Sequence, residues 1–390
     1  MTEITRRTVV LGGMSLLALA ACGNGNDKGM QPVAASENMG IALYPAADAT
    51  DVKPDSVVTV NATFGTLDDV QVSDSTGTQI TGNFSADRTA WVADRRLSPN
   101  ENYTMVVHGT SEKGSQTSQT SHFGTLQVMP KDTTAVILIS PPDGSTVGIA
   151  QPVVFQFNHN VIDRQTAVQA LKVETSVPVE GGWYWIDERE VHWRPKDFWP
   201  TGTTVKVSES LVGLDMGNGE WGVSKHDSSF TVGRNQIIKV DVKRHRLAVV
   251  RDGKTIKTFD VSTGKPGWET RNGIKVIMEK VTDKKWTNEA IDAPEHYTLF
   301  SQYAMRMTNS GEFIHDAPWN TGNIGRANTS HCCVGMTTSD MRWMFDHTII
   351  GDPVICTGSP KKFTELWNRY QDWNVNWNQW QTGNYDLSDQ

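Results

Sequence analysis

Along most of the chain apolar residues alternate with polar ones instead of recurring at helical spacing. Stretches such as "VVTVNATFG" from Val57 and "VVFQFNHNV" from Val153 follow the period of two that marks a strand with one buried face. Clusters of Pro, Gly, Asn and Asp break these runs into short pieces. Two blocks of similar length repeat one order of features. "KPDSVVTV" and "PPDGSTV" each open with a Pro-Asp turn. "TAWVADRRLSPNENYTMVV" and "VHWRPKDFWPTGTTVKVSE" each pair a tryptophan strand with a proline turn and another alternating strand. Blocks of this kind predict tandem antiparallel sandwiches, at 38–128 and 131–233, with Trp91 and Trp193 filling their cores. From Arg234 the pattern becomes a meander: "QIIKVDV", a turn at Asp252-Gly253, and a further strand before "GKPG". One helix is predicted in this third unit, over "TSDMRWMFDHTIIG". Ser339 or Asp340 would cap it, Gly351 would end it, and Met341, Met344, Phe345 and Thr348 would form its buried stripe. The tail "LWNRYQDWNVNWNQWQTGN" carries closely spaced tryptophans and is expected to fold back and bury them on a sheet.

The N-terminus departs from this pattern. Arg6 and Arg7 precede an uncharged, mostly apolar run from Val9 to Ala21, shorter than the roughly 20 residues a membrane-spanning helix needs. A charged start, a short apolar core and small residues describe an export signal over 1–21. Leu19-Ala20-Ala21-Cys22 resembles a bacterial lipobox, in which Cys22 would be lipidated, and "TRRTVV" resembles a twin-arginine signal. The Gly- and Asn-rich segment 22–37 reads as a tether. The protein is therefore expected on the outer face of a membrane, held there by lipid. Net charge is −8, with no basic stripe to meet phosphate, which argues against nucleic acid as a partner.

Chemistry concentrates in "NTSHCCVGM", which holds two of the four cysteines. Adjacent cysteines do not easily share one tetrahedral ion and no second pair exists, so a metal is not expected. With Cys22 lipidated, Cys332, Cys333 and Cys356 form an odd set in an oxidising compartment. A bridge between neighbours would be strained, and Cys356 reads as a small buried residue. A nucleophile explains more. If "SHCCV" is extended, His331 and Cys333 share one face. A nearby imidazole can then raise the thiolate share above the roughly three per cent that an ordinary thiol has at neutral pH. His315, in "GEFIHDAPW", is a second base candidate, and the residues alone leave open which histidine takes the proton.

"IHDAPWN" followed by "TSHCCVGM" resembles the signature of L,D-transpeptidases of the YkuD type. "VSTGKPGWETRNGIKVI" is similar to that family's segment before the site. "GWYWIDEREVHWRPKDFWPTGTTVKV" resembles the immunoglobulin-like domain of its actinobacterial members, and the tail resembles their C-terminal subdomain. The resemblance implies a mainly β protein: two immunoglobulin-like sandwiches, a catalytic domain at 234–358 and a Trp-rich C-terminal subdomain at 359–390. It implies acyl transfer in peptidoglycan, in which a donor stem loses D-alanine, a cysteine thioester forms, and a second stem's amine completes a 3→3 cross-link. Cys333 would be the nucleophile, His315 the general base and acid, and His331 a supporting group. Tyr297, Trp319, Ser330 and Gly335 would bind substrate, and the backbone N–H groups of Cys332 and Cys333 would form the oxyanion hole. Carbapenems are implied as inhibitors, and no cofactor is implied. Hydrolysis by the same site, or wall binding without catalysis, are the competing outcomes. Cys332 stands where the family has glycine, Gly335 where many members have Asn or Arg, and Arg271 where proline is usual.

Overall fold

The computed structural model describes residues 38–384, apart from 292, 293, 295, 366 and 367. The expected signal segment, Cys22 and the tether lie outside the described residues. In the first unit a four-stranded sheet runs in the order Gly40–Tyr44, Thr59–Thr63, Ala90–Ala93, Gly82–Phe84. Its five-stranded partner runs Ala49–Val52, Gln116–Thr125, Asn102–Ser111, Gly65–Asp74, Gln79–Ile80. Alternation along Asn102–Ser111 turns Tyr103, Met105 and Val107 inward, to share a core with Val60 and Trp91 of the other sheet.

The second unit repeats the plan with four strands in each main sheet. One sheet is ordered Val136–Ser140, Val153–Phe157, Glu190–Pro195, Gly181–Trp185; the other is Ser145–Val147, Lys225–Val232, Thr204–Ser210, Leu171–Thr175. Phe155, Phe157, Trp185, Trp193 and Trp199 fill the space between them. A short helix, Arg164–Gln169, was not legible in the strand pattern. Its cap is Asp163, whose carboxylate accepts the Thr166 N–H at 2.9 Å.

The third unit has a five-stranded sheet ordered Lys254–Asp260, Arg246–Arg251, Gln236–Asp241, Pro353–Thr357, Gly273–Val276. A four-stranded sheet runs Glu279–Thr287, Thr298–Arg306, Phe313–Asp316, Val334–Met336. The predicted meander covers the first three strands, and Pro353–Thr357 then joins Gln236–Asp241 in parallel. The predicted helix spans Thr338–His347, burying Met341 and Met344 against Ile238, Leu247 and Ile314. Its cap is Thr337, not the expected Ser339 or Asp340, which lie in the first turn: the Thr337 hydroxyl accepts the Asp340 N–H at 3.2 Å. The helix stops short of Gly351 because the β-branched run at Thr348 leaves the helical region, with φ −115° at Thr348.

The described part of the tail packs on a sheet that belongs to the second sandwich, with Trp380 buried and Trp373 and Trp377 half-buried. Trp380 is fully buried, stacks on Tyr184 at 4.9 Å and donates its indole N–H to the Gly182 carbonyl at 2.8 Å. The Arg194 guanidinium lies 4.5–5.2 Å from the rings of Trp373, Trp377 and Trp380. Beside it His192, fully buried, bridges Asp372 of the tail and Glu190 of its own strand, at 2.9 Å each. Burial opposes charge on this imidazole, but the two carboxylates prevail and raise its pKa to about 10. The tail is thus a clamp between the second and third units.

Candidate active site

The parallel pairing of Phe313–Asp316 with Val334–Met336 sets His315 opposite Gly335, and Cys333 immediately precedes the second strand. His315 is buried, and its Nδ1 lies 2.8 Å from the Asp316 carbonyl and 3.2 Å from Ser301 Oγ. A carbonyl only accepts, so Nδ1 carries the ring proton and Nε2 keeps its lone pair. Ser301 locks this arrangement. Its hydroxyl donates to the same carbonyl at 2.6 Å and accepts the Trp286 indole N–H at 2.8 Å. Trp286 and Trp319 lie against the imidazole, with ring centroids 4.7 and 5.8 Å away. Burial holds the His315 pKa below its ordinary value, so the ring is neutral.

Cys333 is 7 % exposed and donates its thiol to the Gly311 carbonyl at 3.5 Å. The hydrogen-bonded Cys332 thiol, and after it burial, push its pKa well above the usual thiol range. The resting pair is therefore thiol and imidazole. This corrects the sequence-based expectation of a raised thiolate share: the Cys332 thiol and then burial favour neutral Cys333, and burial favours neutral His315. The segment is also bent where an extended strand was expected. Cys332 has φ +66°, the left-handed region that glycine adopts readily and that an L side chain resists. Its N–H donates to the Trp268 carbonyl at 2.9 Å, and its carbonyl accepts from Thr270 Oγ1 at 2.8 Å. Of the two expected oxyanion donors, Cys332 is thus already engaged. Cys332, Cys333 and Cys356 are all free thiols.

The remaining predicted residues fall around one 340 Å³ cavity that reaches both Cys333 and His315. His331 sits between Trp268, T-shaped to it with centroids 4.9 Å apart, and Tyr297, stacked at 5.7 Å, which together hold its ring. Ser330 lines the cavity, but its hydroxyl is directed to the Cys333 carbonyl at 2.6 Å, so it braces the nucleophile's backbone. Gly335 exchanges backbone hydrogen bonds with Ser262 at 2.8 and 3.0 Å, and a Cβ there would meet the Ala317 methyl at 3.3 Å. Trp319, 42 % exposed, forms an outer wall.

Sequence reasoning missed Trp286 and Ser301, which reach His315 through the pairing of strands, and Trp268 and Gly311, whose loop carbonyls meet Cys332 and Cys333 only in the folded chain. It also missed the cationic rim of Lys284, Lys285 and Arg306 on the same cavity, suited to a ligand bearing carboxylates. Together these groups can take a thiol proton at His315 Nε2 and form an acyl bond at Cys333.

Comparison with known proteins shows the domains and the relatives of this chain. Residues 49–215 match a bacterial Ig domain model and residues 235–356 match an L,D-transpeptidase catalytic domain model. L,D-transpeptidase 2 of Mycobacterium tuberculosis is 32 % identical over 381 residues, covering 95 % of this chain and 92 % of that protein. L,D-transpeptidase 5 of the same species is 34 % identical over 347 residues, covering 87 % and 76 %. Among solved structures, an LD transpeptidase in complex with imipenem is 30 % identical with a TM-score of 0.51. That match covers 57 % of this chain and 99 % of the other.

Proposed function

Because this chain belongs to the L,D-transpeptidase family, we propose that Cys333 and His315 join peptidoglycan stems through 3→3 cross-links. The observation that carries this reading is the shared cavity, in which a buried thiol and an imidazole of fixed tautomer face one space. His315 Nε2 takes the proton as Cys333 Sγ attacks the carbonyl carbon of the donor stem's third residue. The Cys333 backbone N–H remains as a donor to the oxyanion that develops. The C–N bond to D-alanine then breaks, and the leaving amine takes the proton from His315. This leaves a thioester. The side-chain amine of a second stem attacks that carbonyl and gives its proton to His315, and the Cys333 thiolate departs and is reprotonated. Since thiol and imidazole are both neutral at rest, proton transfer accompanies attack. The Lys284, Lys285 and Arg306 rim would receive stem carboxylates, and Tyr297 and Trp319 would hold the donor chain.

Residues 1–22 support a protein anchored by lipid at Cys22 on the outer membrane face, with the sandwiches holding the site out toward the wall. The imipenem complex of the LD transpeptidase supports carbapenems as acylating inhibitors here.

The test is intact-mass spectrometry of the 38–390 chain with imipenem and with a tetrapeptide donor, with and without an acceptor amine. A drug-sized adduct lost in Cys333→Ala, plus acceptor-dependent dimer, is expected. D-alanine release that yields only free tripeptide would instead mark a carboxypeptidase. Wall-fragment binding unchanged by Cys333→Ala, without any adduct, would mark a binding protein.

A further inference from the structure

The Gly311 carbonyl, which receives the Cys333 thiol, sits in a turn at 308–312 between the strands Thr298–Arg306 and Phe313–Asp316. Such a turn orients a nucleophile only if something holds it. Two groups of the tail do so: Asn368 Oδ1 accepts the Ser310 N–H at 2.7 Å, and the Asn368 carbonyl accepts the Asn309 N–H at 3.2 Å. The third support is Arg271. Its backbone N–H and Nε both reach Glu312 Oε1, at 3.1 and 3.2 Å, its Nη2 reaches Ser310 Oγ at 2.6 Å, and its Nη1 reaches Glu365 Oε2 of the tail at 3.1 Å. Glu312 is fully buried and also meets the equally buried Lys275 at 2.8 Å, while Lys275 donates to the Arg271 carbonyl at 2.8 Å.

Proline, which the resemblance would put at this place, has neither an N–H nor a guanidinium and could make none of the donor contacts. The planar fork of arginine can hold two carboxylates and a hydroxyl at fixed angles, which the point charge of lysine cannot. We propose that Arg271 is a positioning residue for the nucleophile: by tying Ser310 and Glu312 to Glu365 of the tail, it fixes the Gly311 carbonyl that aims the Cys333 thiol. This rests on the reading of Cys333 as nucleophile. It also gives the tail a second role, as the outer brace of the catalytic turn.

The experiment compares the 38–390 chain with Arg271→Lys and with the double variant Ser310→Ala/Glu365→Ala, which removes two partners and leaves the Arg271–Glu312 pair. Three quantities are read: the saturating imipenem acylation rate with its half-saturating concentration, the pH profile of Cys333 alkylation by iodoacetamide, and the melting temperature. The expected result is a maximal acylation rate lower by about ten- to a hundredfold, as displacement of a reacting group by about 1 Å produces. Half-saturation should stay near the parent value. The alkylation profile should move to lower pH, because a carbonyl that no longer accepts the thiol proton stops favouring the neutral form. If Arg271→Lys does not fold, the double variant carries the same expectation. A variant that melts earlier but keeps the parent's acylation rate and alkylation profile overturns the proposal and leaves Arg271 a structural residue. Absence of any Cys333 adduct in the parent chain would overturn the functional reading itself, a result distinct from parent-like variants.

Discussion

Replacing Cys332 by glycine should make the enzyme both more stable and faster to acylate. In the folded chain the residue sits at φ +66°, where an L side chain is disfavoured by about 1–2 kcal/mol. Glycine removes that strain but adds unfolded-state freedom of about 0.5–1 kcal/mol. The difference favours the variant by up to about 1.5 kcal/mol, a rise in Tm of about 2–4 °C for each kcal/mol. Backbone bonds to Trp268 and from Thr270 use the N–H and C=O of residue 332 and survive the change. The second effect is electronic. The Cys332 thiol is the largest cause holding the Cys333 pKa up, so its removal lowers that pKa while burial continues to raise it. Below the pKa a tenfold gain in thiolate corresponds to about 1.4 kcal/mol. The rising limb of the acylation profile should therefore move to lower pH. Imipenem consumption followed by stopped-flow absorbance from mildly acidic to mildly alkaline pH reads this directly. Cys332→Ala separates the effects, since it removes the thiol but keeps the strain: it should share the pH movement without the gain in Tm. A Cys332→Gly chain that melts earlier than the parent, or whose limb stays in place, refutes the reasoning.

Three further outcomes are expected. Ser301→Ala deprives the Trp286 indole N–H and the Asp316 carbonyl of a partner; urea unfolding should show a loss of about 1–3 kcal/mol, and the acylation rate should fall as His315 loosens. The raised pKa of His192, about 10 against 6.5 unfolded, means its stabilisation is complete below pH 6.5 and disappears as pH rises through 10. Asp372→Asn should lower stability at neutral pH by about 3–5 kcal/mol and flatten that dependence in calorimetry. Trp319→Ala, at a 42 % exposed position, should change stability by no more than about 0.5 kcal/mol while kcat/KM for a tetrapeptide donor falls, because the outer wall of the cavity is lost.

The fold was legible wherever one strand face is buried and the other wet, as in Asn102–Ser111, because that asymmetry writes itself as alternation. His315 and Cys333 were legible because their residue types are suited to acyl transfer and stand in a recognisable motif. What escaped depends on distance in sequence or on burial. Nothing near Asp372 announces His192, 180 positions earlier, and Arg271, Glu312 and Glu365 meet only after folding. The neutral state of the Cys333–His315 pair is likewise a tertiary quantity, since desolvation is set by Phe313, Trp286 and the strands around them. The sign of φ at Cys332 could be suspected only from the glycine that usually stands there. The helix cap was ambiguous because Thr337, Thr338, Ser339 and Asp340 are all chemically able to serve.

The clamp made by the tail also has a mechanical meaning. On the proposed function, a cysteine acylated by a wall-bound stem would be tied to a large, slowly moving polymer, and a pull on the N-terminal side would cross from the second sandwich to the catalytic domain. The peptide near Gly233 joins them, and backbone bonds from the Gly148 N–H to the Ile350 carbonyl at 2.8 Å and from the Ala150 N–H to the Gly351 carbonyl at 2.9 Å take part of that load. Trp380 on Tyr184, Asp372 on His192 and Arg194 among its three indoles form a further path beside these, loaded in shear across a broad surface. Tension that would hinge the two domains apart would be shared among these paths before it reached the geometry around Cys333.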